Sequence, residues 1–397
     1  MSNIREYTKK KEQKNTGTYG QKIIKHRLSV FYRVSLAIIL TVALTAILVV
    51  QMKNRVFEGY QVISSVSKEN ISGTTSLHCD GKILTYSKDG AHCSNTKGEV
   101  LWNQTYQMQA PMVDTCRNMM TIADYNGSTI YVMSTEKIIG EINTNMPIRS
   151  VCVSASGLVA AVLDEADITW IYLYDSSTGK TIAYFKTLMK TNGYPIDVSI
   201  SDSGALVAVS YLYVDSGAVT SKVAFYNFGQ VGQNVVDNLV SGYDYVNHVT
   251  PRVQFMDNAT AFALADDRLV IYQGEQKPIP IKEILLSQEV QSLYYSENYI
   301  GLVYLNVSGD SKYRIEVYHK DGELVQNKNF DIEYTNIEFA KDKMIIYNDA
   351  KCLIQNIGGV ENFAGDFTEG VQLLLPTSSS YKYILVTEDS IDTIELK

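Results

Sequence analysis

Beyond a short linker at residues 53–59, the chain repeats one pattern about every 40 residues: an apolar strand, a turn, a second strand, a turn, and a strand ending near a glycine. A period of this length constrains the fold strongly, because one such unit cannot bury its own apolar faces and must stack on further copies. The clearest pair is Val151 to Ala160 (VCVSASGLVA) and Val198 to Ala208 (VSISDSGALVA), both of which read V-x-[VI]-S-x-S-G. Weaker copies open at Val253, Leu293, Ile337 and Leu373. The third strand and its turn recur around Ile171–Gly179, Ile315–Gly322 and Cys93–Trp102. Glycine at such turns supplies a positive φ at no steric cost. Asp89-Gly90 and Asn126-Gly127 are predicted to form type I′ hairpin turns.

The repeats divide into segments 72–106, 109–143, 148–186, 195–245, 250–285, 289–332, 335–368 and 371–397. Four short strands per repeat at this spacing predict an all-β fold, a β-propeller of seven or eight blades, with eight preferred. Tyr, at 28 residues against 7 Pro and 2 Trp, fits pleated, half-buried surfaces. Burial on both faces of each blade accounts for unbroken apolar runs such as Ala160-Ala-Val-Leu163. Beyond residue 59 no stretch has a convincing helical period. The last segment supplies three strands, so Tyr60–Val66 is expected to join it as the fourth and close the ring.

Ahead of the repeats, Val34–Met52 is nineteen residues without a charge. At 1.5 Å per residue it is about 28 Å long, close to the hydrocarbon thickness of a bilayer. Its exit, Gln51-Met52-Lys53-Asn54-Arg55, lacks a small-x-small cleavage site, so it reads as an uncleaved anchor. Residues 1–33 carry nine Lys or Arg against two acids, while the whole chain is at −8, which leaves −15 beyond residue 33. Basic flanks stay in the cytoplasm. The expected organisation is a basic cytoplasmic tail (1–33), a single transmembrane helix (34–52), a linker (53–59) and an extracytoplasmic propeller (60–397) in the cell membrane. The acidic outer region disfavours nucleic acid, whose affinity comes mainly from phosphate neutralisation by Lys and Arg. Besides marking topology, the Lys-rich tail has a second reading as a contact for anionic lipid or a cytoplasmic partner.

These repeats resemble the broad superfamily of WD40-like, YVTN-like and quinoprotein-like propellers, over roughly residues 60–397. Gly98-Glu-Val-Leu-Trp102 looks like the G-x-x-x-W element of quinoprotein-type repeats and occurs once. The layout is similar to an uncharacterised family of membrane-anchored bacterial propeller proteins, a resemblance that implies no activity. Quinoprotein dehydrogenases carry adjacent cysteines, whereas Cys79, Cys93, Cys116, Cys152 and Cys352 are never adjacent.

Candidate chemistry is sparse. Cys79 and Cys93 fall on the first and third strands of one blade, too far apart to bridge. Cys116 and Cys152 open neighbouring blades, where a bridge is weighed against buried free thiols. A zinc site from His78, Cys79, His92 and Cys93 is weighed against scattered strand and turn residues. Asp164-Glu165-Ala166-Asp167 and Asp266-Asp267 are acidic turns at matching places, weighed as calcium ligands or as solvated turns. Ser65-Val-Ser-Lys68 fits S-x-x-K but lies on a strand rather than a helix. Sequons occur at Asn70, Asn103, Asn126, Asn258 and Asn306.

The sequence therefore assigns no catalytic, cofactor-binding or metal-ligating residue and no cofactor. It predicts a non-enzymatic binding or scaffolding module whose partner is a protein, peptide or cell-wall glycan at the outer membrane face. The alternatives are a sensor that signals to a cytoplasmic partner and an enzyme with an unrecognised site.

Overall fold

The computed structural model describes residues 19–397 except 70, 72, 166–167, 189–191, 216, 307–308, 310 and 369. The chain divides into two compact units, Met1–Arg55 and Val56–Lys397.

The first unit contains the helix α1, Tyr19–Lys53, none of whose residues is buried and which carries the charge-free run Val34–Met52. It is long and apolar enough to cross a membrane. It starts well before the charge-free run, so residues 19–33 are helical too and carry Lys22, Lys25, Arg27 and Arg33 on the same rod. The hydroxyls inside it are satisfied locally: Thr41 Oγ1 donates to Ala37 O at 2.8 Å and Thr45 Oγ1 to Val42 O at 2.9 Å. Such internal pairing satisfies a hydroxyl within its own helix.

The second unit is an eight-bladed propeller. Among the described residues, strands β1–β32 form eight four-stranded antiparallel sheets. Blades 1 to 7 take consecutive strands over residues 75–105, 111–143, 148–188, 194–246, 252–285, 292–330 and 336–366. Blade 8 is assembled from both ends of the unit: β30 (Val371–Pro376), β31 (Lys382–Thr387) and β32 (Ser390–Leu396) are completed by β1 (Tyr60–Ser67). β1 pairs antiparallel with β32 from Tyr60↔Leu396 to Ser67↔Ser390, as the count of three strands in the last segment predicts.

The core consists of eight apolar clusters, one between each adjacent pair of blades. Side chains alternate across a strand, so one strand feeds two clusters. Ala160 and Val162 face blade 4, whereas Ala161 and Leu163 face blade 2. The eighth cluster packs Ile83 of blade 1 on Leu373, Leu375, Ile384, Val386 and Ile391 of blade 8, so the ring closes through side chains as well as through β1.

A repeat finer than the sequence motif runs around the ring. In every blade the pairing of third and fourth strands breaks register once, at Leu101, Ile139, Ile182, Val240, Ile281, Val325, Asn362 and Ile63. One extra residue there bends the outer strand and increases its twist.

The V-x-[VI]-S-x-S-G copies form the turns between first and second strands of blades 3 and 4. Ser154 Oγ accepts Leu158 N–H at 2.8 Å and Ser201 Oγ accepts Leu206 N–H at 3.1 Å, with Gly157 at φ 86° and Gly204 at φ 76°. The type I′ expectation is corrected at both dipeptides. Gly90 and Gly127 lie outside the positive-φ region, and at the second turn Asn126 takes the left-handed conformation (φ 65°). Gly90 is small for another reason: a Cβ there would sit 2.7 Å from Gln104 O on the neighbouring strand.

Candidate functional site

First strands of neighbouring blades touch one another, β6 (Pro111–Cys116) with β10 (Ile148–Val153), β10 with β14 (Tyr194–Ile200), and β14 with β18 (Arg252–Phe255). They line the central channel. Each is the inner edge of its sheet, so its outward N–H groups have no strand to bond, and edge groups left unpaired are costly when buried. Polar side chains of a preceding blade meet that need. Asp114 Oδ2 accepts Val153 N–H at 2.8 Å, Asp197 Oδ2 accepts Val253 N–H at 2.8 Å, and Ser199 Oγ accepts Phe255 N–H at 2.9 Å. Polar residues on these strands thus have a structural duty before any functional one.

At the end of the channel where first strands turn into second strands lies a cleft of about 340 Å³, lined by residues of blades 2 to 6, among them Asp114, Cys116, Arg117, Asp202, Tyr295 and Glu297. Arg117 spans it. Its Nε and Nη2 donate to Asp202 Oδ2 at 3.0 and 2.8 Å, and its Nη1 donates to Glu297 Oε2 at 2.6 Å. These charge-assisted contacts hold the Glu297 carboxyl below its ordinary range. Beside the cleft Arg252 donates to Gln254 Oε1 at 2.8 Å and Tyr295 OH at 3.2 Å, and lies 3.6 Å from Asp197 Oδ1. Asp114 is half-buried in the wall of the cleft. Desolvation pushes its carboxyl up to about 6, against the opposing pull of the Val153 N–H and the Arg252 charge.

The sequence-predicted groups are placed as follows. His78 and Cys79 are successive on one strand and point to opposite sides, as do His92 and Cys93, so the four do not converge. His78 Nδ1 faces Glu338 Oε1 of blade 7 at 2.5 Å while its Nε2 accepts Gly81 N–H at 3.0 Å. His92 lines a different cleft, with Lys68 and Asn103. The thiols donate instead of ligating: Cys79 Sγ to Arg117 O at 3.2 Å, Cys93 Sγ to Thr135 O at 3.5 Å and Cys116 Sγ to Asp202 Oδ1 at 3.3 Å. Burial pushes Cys79 up to about 12, Cys93 to about 11 and Cys116 to about 12, which keeps them protonated and poor metal ligands or nucleophiles. All five cysteines are free thiols, and a strand separates Cys79 from Cys93.

The acidic turns fall between second and third strands. Asp164 accepts from Arg149 Nε at 2.5 Å and Thr169 Oγ1 at 3.1 Å, and Glu165 accepts from Trp170 Nε1 at 3.0 Å, while residues 166–167 lie outside the described ones. Asp266 and Asp267 approach His248 Nδ1 at 3.0 and 3.2 Å, but Arg268 Nη2 holds Asp267 Oδ2 at 2.6 Å. A guanidinium already neutralises that carboxylate. Lys68 follows the end of β1, away from any helix start. Among the sequons, Asn70 lies outside the described residues, Asn103 is on a strand, Asn126 Oδ1 accepts from Arg149 Nη1, and Asn258 Oδ1 accepts Ser203 N–H at 2.7 Å. Trp102 is buried with its Nε1 donating to Ser134 O of blade 2 at 2.8 Å, a blade-to-blade contact.

Sequence reasoning missed the cleft residues, although a signal was present for one: Asp202 occupies the second variable position of the V-x-[VI]-S-x-S-G motif. Aligning the other first turns on that register brings Arg117 and Glu297 to the same place in their blades.

A ring of eight four-stranded sheets with a polar channel defines the protein as a β-propeller. The chain belongs to the family described as a family of unknown function (DUF5711), whose sequence model matches residues 53–396. No curated relative matches it in sequence. Among solved structures it is similar in fold to the Dos1 propeller (8% identity, TM-score 0.53, covering 85% of this chain and 95% of that one). It is also similar to Sqt1 from Chaetomium thermophilum (12% identity, TM-score 0.52, covering 85% and 100%). BamB from Moraxella catarrhalis aligns at 9% identity and a TM-score of 0.49, over 85% of this chain and 98% of that one.

Proposed function

We propose that this protein is a non-enzymatic binding or scaffolding module, anchored in the cell membrane by α1 with its N-terminus in the cytoplasm, whose propeller takes a protein or peptide partner at the channel mouth outside. The observation that carries this reading is the cleft itself: residues of five blades converge there, and three of those blades contribute the charged groups Arg117, Asp202 and Glu297. A propeller offers a rigid rim for such recognition. The high thiol pKa values and the pairing of Asp202 and Glu297 with a guanidinium support binding over catalysis, since neither supplies a ready nucleophile or base. The basic residues of α1 before Val34 and the acidic character of the rest support the orientation.

Two experiments test it. A photo-reactive residue at Ser203, exposed beside the mouth, should capture a partner in cells, whereas one at Val246 on the opposite face should not. Equal capture from both positions removes the mouth from the reading. An alkaline phosphatase fused after Lys397 should be active, and activity of a cytoplasmic reporter there instead reverses the topology.

A further inference from the structure

The channel mouth already holds a guanidinium, and it belongs to the chain itself. Arg117 leaves the first turn of blade 2, meets Asp202 in blade 4, and meets Glu297 in blade 6. In a ring of eight, blade 6 stands diametrically opposite blade 2, so the Arg117 to Glu297 contact is a bar across the opening. The Arg117 side chain is 40% exposed and that of Glu297 49%. An ion pair this open to water adds little net stability, because solvation of the separated charges nearly balances their attraction. Another cation of similar shape can therefore replace Arg117 at small cost.

The wall beside the bar is short of positive charge. The charged residues lining the cleft are Asp114, Asp202 and Glu297 against Arg117. Asp114 Oδ2 has the Val153 N–H but, among the described residues, no ion-pair partner; Arg117 is turned towards Asp202 and Glu297, and Arg252 towards Asp197, Gln254 and Tyr295. A carboxylate in a confined site whose neighbouring cation, Arg252, makes its contacts elsewhere favours the arrival of a second cation. Gln254 and Tyr295 in the same wall already hold one guanidinium, that of Arg252, which lies 5.9 Å from the Tyr295 ring centre, so the wall is built from groups that suit a planar cation.

We propose that the mouth is a receptor for a basic side chain, an arginine or lysine presented by a partner segment, and that Arg117 is the internal occupant which that side chain displaces. The proposal rests on the binding-module reading and names its ligand class. The incoming cation pairs with Asp202 and Glu297 in place of Arg117, and the cleft lets its charge approach Asp114. Displaced, Arg117 is free to swing into solvent from its turn.

The test uses the full chain in detergent micelles and two probes, the tripeptide acetyl-Gly-Arg-Gly-amide and the same peptide with citrulline, an uncharged isostere, in place of arginine. Arg117→Ala empties the seat, so the arginine peptide should bind about tenfold more tightly than to the intact chain, as for gain of a bidentate charge-assisted contact. The citrulline peptide should gain nothing. Adding Glu297→Gln or Asp114→Asn to Arg117→Ala should reverse the gain, and higher salt should weaken it. If Arg117→Ala does not fold, Arg117→Lys keeps a cation but loses the fork, and it should still bind the arginine peptide more tightly than the intact chain does. A folded Arg117 variant that binds both peptides equally, or neither better than the intact chain, overturns the proposal. Capture from Ser203 would survive that result, so the ligand class fails separately from the binding face.

Discussion

The walls between blades and the lining of the channel are built from adjacent residues of the same strands, yet they obey different rules. On β14, Val198 and Ile200 enter the apolar wall between blades 3 and 4, while Asp197 and Ser199 alternate with them and cap N–H groups of blade 5. The walls are dry and closely packed, so their energy scales with buried apolar area and is sensitive to lost volume. The lining is polar and partly wet, so its energy is a balance of desolvation, hydrogen bonds and ion pairs that nearly cancels. The walls therefore hold the ring together, and the lining is free to differ from blade to blade. Arg117, Ser156, Asp202 and Glu297 all sit in first turns, and no two of them need be alike for the ring to close.

The most damaging way to break this contrast is to open a wall altogether. Deleting residues 60–67 removes β1, leaves β32 as an unpaired edge, and deprives blade 8 of its outer strand. Because each blade is stable only between neighbours, the loss should spread: a single sharp melting transition should become broad or vanish, with aggregation through the exposed edge. Deleting residues 371–397 should do the same. If either shortened chain stays monodisperse and melts within a few degrees of the intact one, closure is not what holds the ring.

Next in size is a single wall residue. Phe225 is 0% exposed and its ring lies 5.0 Å from that of Tyr272 and 6.0 Å from that of Phe255, across the boundary between blades 4 and 5. Phe225→Ala should lower unfolding free energy by about 3–5 kcal/mol through lost contacts and the cavity left behind. Gln254→Ala in the lining should change it by less than about 1 kcal/mol. Denaturant melts of the two variants give the comparison directly, and similar losses would erase the distinction between wall and lining.

That distinction also explains what could be read from the sequence. Wall residues announce themselves: alternation and apolar runs such as Ala160–Leu163 locate strands, and the three-strand remnant after residue 371 calls for Tyr60–Val66. Turn chemistry was less legible, because Gly90 is required by the approach of Gln104 O from a neighbouring strand rather than by its own φ. The bulge that recurs in every fourth strand was invisible, since its extra residue is Leu, Ile, Val or Asn and looks like any strand residue. The cleft was hardest. Arg117 and Glu297 are 180 residues apart, and only the ring's geometry puts them within a hydrogen bond. Conversely, His78 and Cys79 are adjacent in sequence and separate in space because a strand sends neighbours to opposite sides.

A smaller effect, opposite in sign to the wall prediction, comes from Asp114. Its carboxyl is raised to about 6 by desolvation, from an ordinary 3.8, so the folded protein holds this proton more tightly than the unfolded chain does. Stability from this group is greatest below the unfolded value, falls as pH rises between about 4 and 6, and stays lower above. Asp114→Asn keeps an oxygen to accept the Val153 N–H and removes the charge. It should therefore stabilise the protein at pH 7.5, by on the order of 1–3 kcal/mol with water in the channel reducing the figure. The gain should vanish near pH 4. A loss of stability at pH 7.5 would mean that the carboxylate is not penalised there and that the lining is better balanced than its geometry indicates.

The smallest effect expected is that of Glu297→Gln, and it separates the two duties of the lining most cleanly. Among the described residues Glu297 caps no backbone group of another blade; its charge-assisted contact is with Arg117, and both side chains are more than a third exposed. Its depressed pKa, set first by the Arg117 hydrogen bond, means that any stability it adds is present above the ordinary glutamate range and lost as pH falls through the lower folded value. Solvent screening limits that contribution to about 0–1 kcal/mol, and raising the salt should reduce it further. Gln also keeps a carbonyl oxygen able to accept from Arg117. Thermal melts at pH 7.5 should thus scarcely distinguish Glu297→Gln from the intact chain, whereas Asp197→Asn, which disturbs a buried carboxylate serving both Val253 N–H and Arg252, should shift the transition measurably. Were Glu297→Gln the more disruptive of the two, the bar across the mouth would be part of what closes the ring, and the division between structural walls and a variable lining would not hold at that point.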